Sequence, residues 1–168
     1  MTAKITFQEC ILVVITQGFD EAGTVTLIST LRQAGLCVKS LAMTNGLIDG
    51  TYGICVMPDL TLSDLDNLSK TTVVRAVILP ESEQCLARLE VDPRLHYFLR
   101  KVLSLGGNIV VNAAGRRFLR KTSVGDPSLL ESNSGGEPLL LSWDQGQPVD
   151  ELVHSFLHKV GQPSHAKW

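Results

Sequence analysis

Apolar and polar positions in this chain come in blocks that change period from one block to the next. Residues 10–16 (CILVVIT) are short, β-branched and apolar throughout, which predicts a strand buried on both faces. Residues 72–80 (TVVRAVILP) predict another core strand, ended by Pro80. Residues 36–42 (LCVKSLA) alternate as a strand does, and 109–113 and 138–143 (PLLLSW) add two more. Between them the period becomes helical. Residues 20–34 (DEAGTVTLISTLRQA) space their apolar positions through Ala22, Val25, Ile28 and Leu31, with Asp20 and Glu21 in the first turn and Gly35 as the stop. Asn45-Gly46 signals a turn, and 46–59 (GLIDGTYGICVMPD) reads as a short β-excursion. Residues 61–68 predict one or two helical turns opened by Thr61 or Ser63. Residues 82–90 and 93–105 predict two helices divided at Asp92-Pro93, with Pro93 suited to a helix start and Gly106-Gly107 closing the second. A helix from about Arg116, a Ser/Gly-rich loop at 123–137 and a last helix at 149–160 complete the pattern.

Strands joined by helices predict an α/β fold, a flavodoxin-like three-layer α/β/α sandwich with a mostly parallel sheet. The 168 residues predict a single domain, with 1–8 and 161–168 as mobile ends. In such sheets ligands bind beyond the carboxyl ends of the strands. That directs attention to 16–23, 80–85 and 112–117.

Composition is that of an ordinary globular chain, 44% hydrophobic and 19% charged, and the net charge of −2 selects no partner by sign. The apolar run at 10–15 is too short to span a membrane and no cleavable signal pattern precedes it, so a cytoplasmic protein without membrane partners is expected. Cys10, Cys37, Cys55 and Cys85 are scattered, with no CxxC and no Cys/His cluster, and read as buried free thiols. No metal or cofactor is expected. His154 and His158 stand i, i+4, but lie opposite the apolar arc of their helix and have no third ligand nearby.

Charge is uneven. Residues 93–125 hold seven basic side chains and no acidic one. Arg116, Arg117, Arg120 and Lys121 follow the small-residue turn Ala113-Ala114-Gly115, where helix amides after Gly115 would suit an anion. The plainer reading is a solvated helix face. Nucleic acid is not favoured: no binding motif is present, and aromatics at 5% leave few stacking platforms. Trp143, ending its strand, could line the cleft or cap the core.

Four segments together resemble a known family. "ILVVITQGFDEAGTVTLISTLRQAGLCVKSLAM", "YGICVMPDLTLSDLD", "AVILP" and "DPRLHYFLRKVLSLGGNIVVNAAG" are similar, in order and spacing over roughly 10–115, to the DJ-1/ThiJ/PfpI superfamily of the class I glutamine-amidotransferase-like fold. The resemblance implies a nucleophilic cysteine at the strand-to-helix turn, an acidic partner in the first loop, a Pro-Gly-Gly turn, and a homodimer built in part from the first helix. Here the nucleophile position matches Ala113, the acidic position matches Gly23, and the Pro-Gly-Gly turn reads Pro80-Glu81-Ser82. Alanine has no lone pair with which to attack. The reading is therefore a degenerate, non-catalytic member: a binding, scaffold or regulatory module with no catalytic residues. Its residual cleft (Gly18, Glu21, Pro80, Ala113, Gly115, Arg116, Arg117) would hold a small anion or a protein partner. The alternative is a divergent hydrolase or glyoxalase/deglycase-type enzyme using Cys85, Asp20 or Glu21.

Overall fold

The computed structural model describes residues 8–80, 82–124, 150, 151, 154 and 158. Its centre is β1 (Gln8–Val14), whose apolar run divides by alternation. Cys10, Leu12 and Val14 enter one core cluster, while Ile11, Val13 and Ile15 enter another on the opposite face. A strand covered on both sides has no polar face to show, which is why the run reads as continuous.

β2 (Val38–Ala42) pairs parallel with β1 on one side, Ile11 opposite Val38, and β6 (Thr72–Ile78) pairs parallel on the other, Gln8 opposite Thr72. β5 (Leu60–Thr61) lies outside β2 and β7 (Asn108–Val110) outside β6. The sheet order is β5-β2-β1-β6-β7, all parallel, with helices on both faces. β3 (Ile48–Asp49) and β4 (Cys55–Val56) form a separate antiparallel hairpin, the expected β-excursion.

α1 (Glu21–Gln33) covers one face with Leu27 and Leu31. Of the face read from the sequence, Leu31 is buried and Ile28 packs against this core, whereas Val25 is half exposed and Ala22 lies outward. The Leu27/Leu31 pair faces the sheet and leaves the Ala22/Val25 side on the surface. The opposite face is covered by the short α2 (Leu65–Leu68), α3 (Glu83–Glu90), α4 (Pro93–Ser104) and α5 (Ala113–Lys121), through Leu65, Leu86, Leu89, Leu95, Leu99, Phe118 and Leu119. A single 3-10 turn, Leu62–Asp64, opens α2. There Asp64 accepts the Thr61 N–H at 2.8 Å and the Thr61 hydroxyl at 2.7 Å. Asp92 caps α4, with Pro93 in its first turn as expected.

α5 begins at Ala113, three residues before the expected start. The strand 138–143, nearly all of the 123–137 loop, Trp143 and both chain ends lie outside the described residues. Of the expected helix 149–160, Asp150, Glu151, His154 and His158 are described; they are helical and exposed.

The chain crosses from the β2 side of β1 to the β6 side. The topological switch point therefore falls where β1 and β6 end, beside the turn after β7.

Candidate functional site

The turn after β7 is set by Asn112. Its backbone is extended (φ −86°, ψ −170°), and its Oδ1 accepts the Gly115 N–H at 2.9 Å. The Asn112 carbonyl accepts the Arg116 N–H at 3.0 Å, the first bond of α5. This is an N-cap, and it accounts for the earlier start of the helix. The Gly115 and Arg116 amides expected to be open to an anion are thus already engaged. Gly115 is buried against Val111, where a β-carbon would collide with the valine side chain. Ala113 is exposed, while Ala114 is half-buried and packs against the core.

The loop after β1 is tied to the β3–β4 hairpin. Gly18 donates its N–H to the Asp49 carbonyl at 2.7 Å, and its own carbonyl accepts the Thr51 hydroxyl at 2.9 Å. Asp20 caps α1 by accepting the Gly23 N–H at 3.0 Å. Glu21 turns inward and is only 3% exposed. Its Oε1 accepts N–H groups from Tyr52 at 2.6 Å and Ile54 at 3.3 Å. Its Oε2 is buried with no hydrogen-bond partner among the described residues. Burial pushes the Glu21 carboxyl pKa up, but the backbone N–H groups of Glu21, Tyr52, Ile54 and Gly53 outweigh it and hold the group below its ordinary value. A carboxylate held ionised in this way is a poor proton acceptor.

After β6 the chain passes through half-buried Pro80 to Ser82, which caps α3 by accepting the Cys85 N–H at 3.5 Å. Cys85 is fully buried, its Sγ 3.5 Å from the Gly18 carbonyl. Burial pushes its thiol pKa up, against smaller opposite effects of Ser82 and Arg88. That is the reverse of what a nucleophilic thiol requires. Cys85 is thus sealed from solvent, Asp20 caps α1 and Glu21 is held by the hairpin amides.

The basic cluster is also changed by its neighbours. Arg117 pairs with Glu83 of α3, Lys121 with Glu90 at 2.6 Å, and Arg94 with Asp92 at 2.7 Å. The acidic residues that the 93–125 segment lacks are supplied by α3 and by Asp92. Gly18, Pro80 and Ala113 do gather at the carboxyl ends of the strands, whereas Glu21 points to the hairpin and Arg117 to α3. The cap at Asn112 was missed in the sequence, although Asn immediately before a helical stretch is an N-cap signal.

The cysteines depart from expectation in two ways. Cys55 is exposed, its thiol donating to Asp49 Oδ1 at 2.8 Å. Cys10 and Cys37, distant in sequence, bring their Sγ atoms to 3.3 Å. Among the described residues no group of three or more His, Cys, Asp or Glu could hold a metal ion, and no helix is long and apolar enough to cross a membrane. An apolar groove between α2 and α4, lined by Leu65, Val73, Tyr97 and Leu105, lies toward the other end of the sheet.

Comparison with solved structures gives this architecture its class: the chain has the fold of the DJ-1/ThiJ/PfpI superfamily. It is similar to a cysteine-to-alanine mutant of a DJ-1 superfamily protein from Salmonella typhimurium (26% identity, TM-score 0.58, covering 72% of this chain and 62% of that one). It is also similar to DJ-1beta of Drosophila melanogaster (22%, TM-score 0.60, 70% and 61%) and to oxidized Toxoplasma gondii DJ-1 (22%, TM-score 0.59, 73% and 63%). The chain thus spans about three fifths of the length of each of these structures. No protein-family model and no curated protein sequence matches it.

Proposed function

We propose that this chain is a non-catalytic protein of the DJ-1/ThiJ/PfpI type, a cytoplasmic binding or scaffold module that works through its surface. One observation carries the reading. The strand-to-helix turn offers an exposed Ala113, and its Gly115 amide is already taken by Asn112. A site for covalent chemistry needs a nucleophile and open donors at that turn, and both are replaced by groups that close it. A small anion there would compete with the Asn112 cap and with Glu83, so a protein partner is the better occupant.

The surface that fits this role is apolar. Val25 on α1 and Leu47, Tyr52, Ile54 and Met57 around the β3–β4 hairpin are all at least half exposed, Tyr52 at 87%. Glu21 binds the Tyr52 and Ile54 amides, which holds the start of α1 beside the hairpin. Clustered apolar side chains of this kind favour self-association, and a homodimer through this face is part of the proposal.

The test is Ala113→Cys beside wild type. A thiol in the first turn of α5 sits at a positive helix end, so its pKa falls below the ordinary ~8.5 and it alkylates rapidly near pH 7. Wild type is expected to lack esterase, amidase and glyoxalase activity. Turnover by wild type would overturn the reading, and its loss in Cys85→Ala or Glu21→Gln would assign it to a divergent enzyme.

A further inference from the structure

Cys10 and Cys37 face each other across the β1/β2 pair at the amino end of the sheet, opposite the candidate cleft. With Ile11 opposite Val38, Cys10 stands opposite Cys37, and the Ile11 N–H is bonded to the Cys37 carbonyl at 2.8 Å. Neighbouring strands lie ~4.8 Å apart, within the Cα separation a disulfide spans. Both side chains point to the same face: Cys10 belongs to the cluster with Leu12 and Val14, and Cys37 packs against that cluster. Their Sγ atoms are 3.3 Å apart, compared with ~2.05 Å for an S–S bond.

We infer that Cys10 and Cys37 are a dithiol modification site, which a low-molecular-weight disulfide such as oxidised glutathione converts to an intramolecular disulfide. Access orders the two steps. Cys10 is 1% exposed, whereas Cys37 is half-buried. Cys37 therefore meets the reagent first. It gives up its proton to solvent, its thiolate attacks one glutathione sulfur, the reagent S–S bond breaks, and one glutathione thiolate leaves and takes up a proton. Cys10 then attacks Cys37 Sγ, its proton passing to the departing glutathione sulfur. The second glutathione leaves as its thiol. In sum, two protein thiols and one glutathione disulfide give one protein disulfide and two glutathione thiols.

Burial, and then the Cys37 thiol beside it, push the Cys10 thiol up to about 12. With 1% of its surface exposed, Cys10 is shielded from reagents in bulk solvent. Cys55 is exposed and reports ordinary mixed-disulfide formation in the same sample. Cys85 is buried and reports unfolding.

The experiment treats the folded protein with oxidised glutathione and maps disulfides by mass spectrometry after acid quench and digestion. The expected product joins the Cys10 and Cys37 peptides, with Cys85 reduced. Cys10→Ala is expected to trap a stable glutathione adduct at Cys37, and Cys37→Ser is expected to leave Cys10 reduced. Circular dichroism of each variant checks that it folds. Should Cys10→Ala fail to fold, Cys10→Ser traps the same adduct. A persistent Cys37–glutathione adduct in wild type, or two free thiols after Cys55 has fully reacted, overturns the assignment.

Discussion

Glu21 occupies the space that a side chain on Gly50 would need: a β-carbon there would fall inside van der Waals contact of Glu21 Cγ, Cδ and Oε1. The carboxylate reaches the hairpin amides across the bare glycine. Gly50→Ala is therefore expected to force Glu21 off Tyr52 and Ile54 and to destabilise the fold by about 1–3 kcal/mol, in the range of overpacking changes. Chemical denaturation checks the value. A variant as stable as wild type would show that the hairpin can shift away from α1.

Asn112→Ala removes the cap of α5 and is expected to cost about 0.5–2 kcal/mol, while Asn112→Asp keeps an acceptor and stays close to wild type. Urea unfolding of the pair measures the difference. Equal losses in both variants would mean that the amide group of Asn112, not its acceptor oxygen, holds the turn.

Asp59 supplies a pH test. Burial pushes its pKa up, but the Ser40 N–H and hydroxyl and the Arg32 guanidinium together hold it below the ordinary carboxylate value. A depressed pKa in the folded state contributes stability fully above the unfolded value of ~3.9 and loses it as pH falls through the folded value. Asp59→Ala is expected to cost about 1–2 kcal/mol at pH 7, since partial exposure screens the Arg32 pair. That gap should narrow steadily below about pH 4. A gap unchanged down to pH 2 would assign the effect to packing.

Cys85 is expected to resist iodoacetamide at pH 8 in the folded protein and to react only in denaturant, because its thiol is fully buried and its pKa is raised. Labelling followed by peptide mapping decides. Fast native labelling would reopen a catalytic role for this residue.

Tyr52→Asp places a charge at the centre of the exposed apolar face and is expected to weaken self-association on the order of ten-fold or more. Sedimentation velocity over a concentration series reads it. Identical behaviour of variant and wild type would move the interface elsewhere.

Much of the fold was legible because single residues carried strong local rules. Asp92-Pro93 marked the start of α4, and the unbroken apolar run of β1 marked a strand covered on both sides. The misreadings share a physical origin, since each depends on which surfaces meet. Val25 has helical spacing, yet the sheet takes Leu27 beside the expected Leu31 and leaves Val25 on the surface. Arg117 and Lys121 form a basic run in sequence, yet Glu83 and Glu90 of α3 stand opposite them. Cys10 and Cys37 looked scattered, because only strand register can bring together residues so far apart in the chain. Alanine at position 113 was visible in the sequence as a residue type. The cap that closes the same turn was not, because Asn112 also reads as the end of a strand.

The central place of β1 has a kinetic consequence. Its partner β2 follows closely along the chain, but the pairing of Gln8 with Thr72 closes a loop of 64 positions. Loop closure of that length is an early entropic cost, and sheets built from distant parallel partners fold slowly. During that interval the Cys10 to Ile15 run has one edge and part of one face uncovered, the kind of segment that recruits other chains. Refolding yield should therefore fall with protein concentration more steeply than native stability alone implies, and the nascent chain stays exposed until β6 has been synthesised.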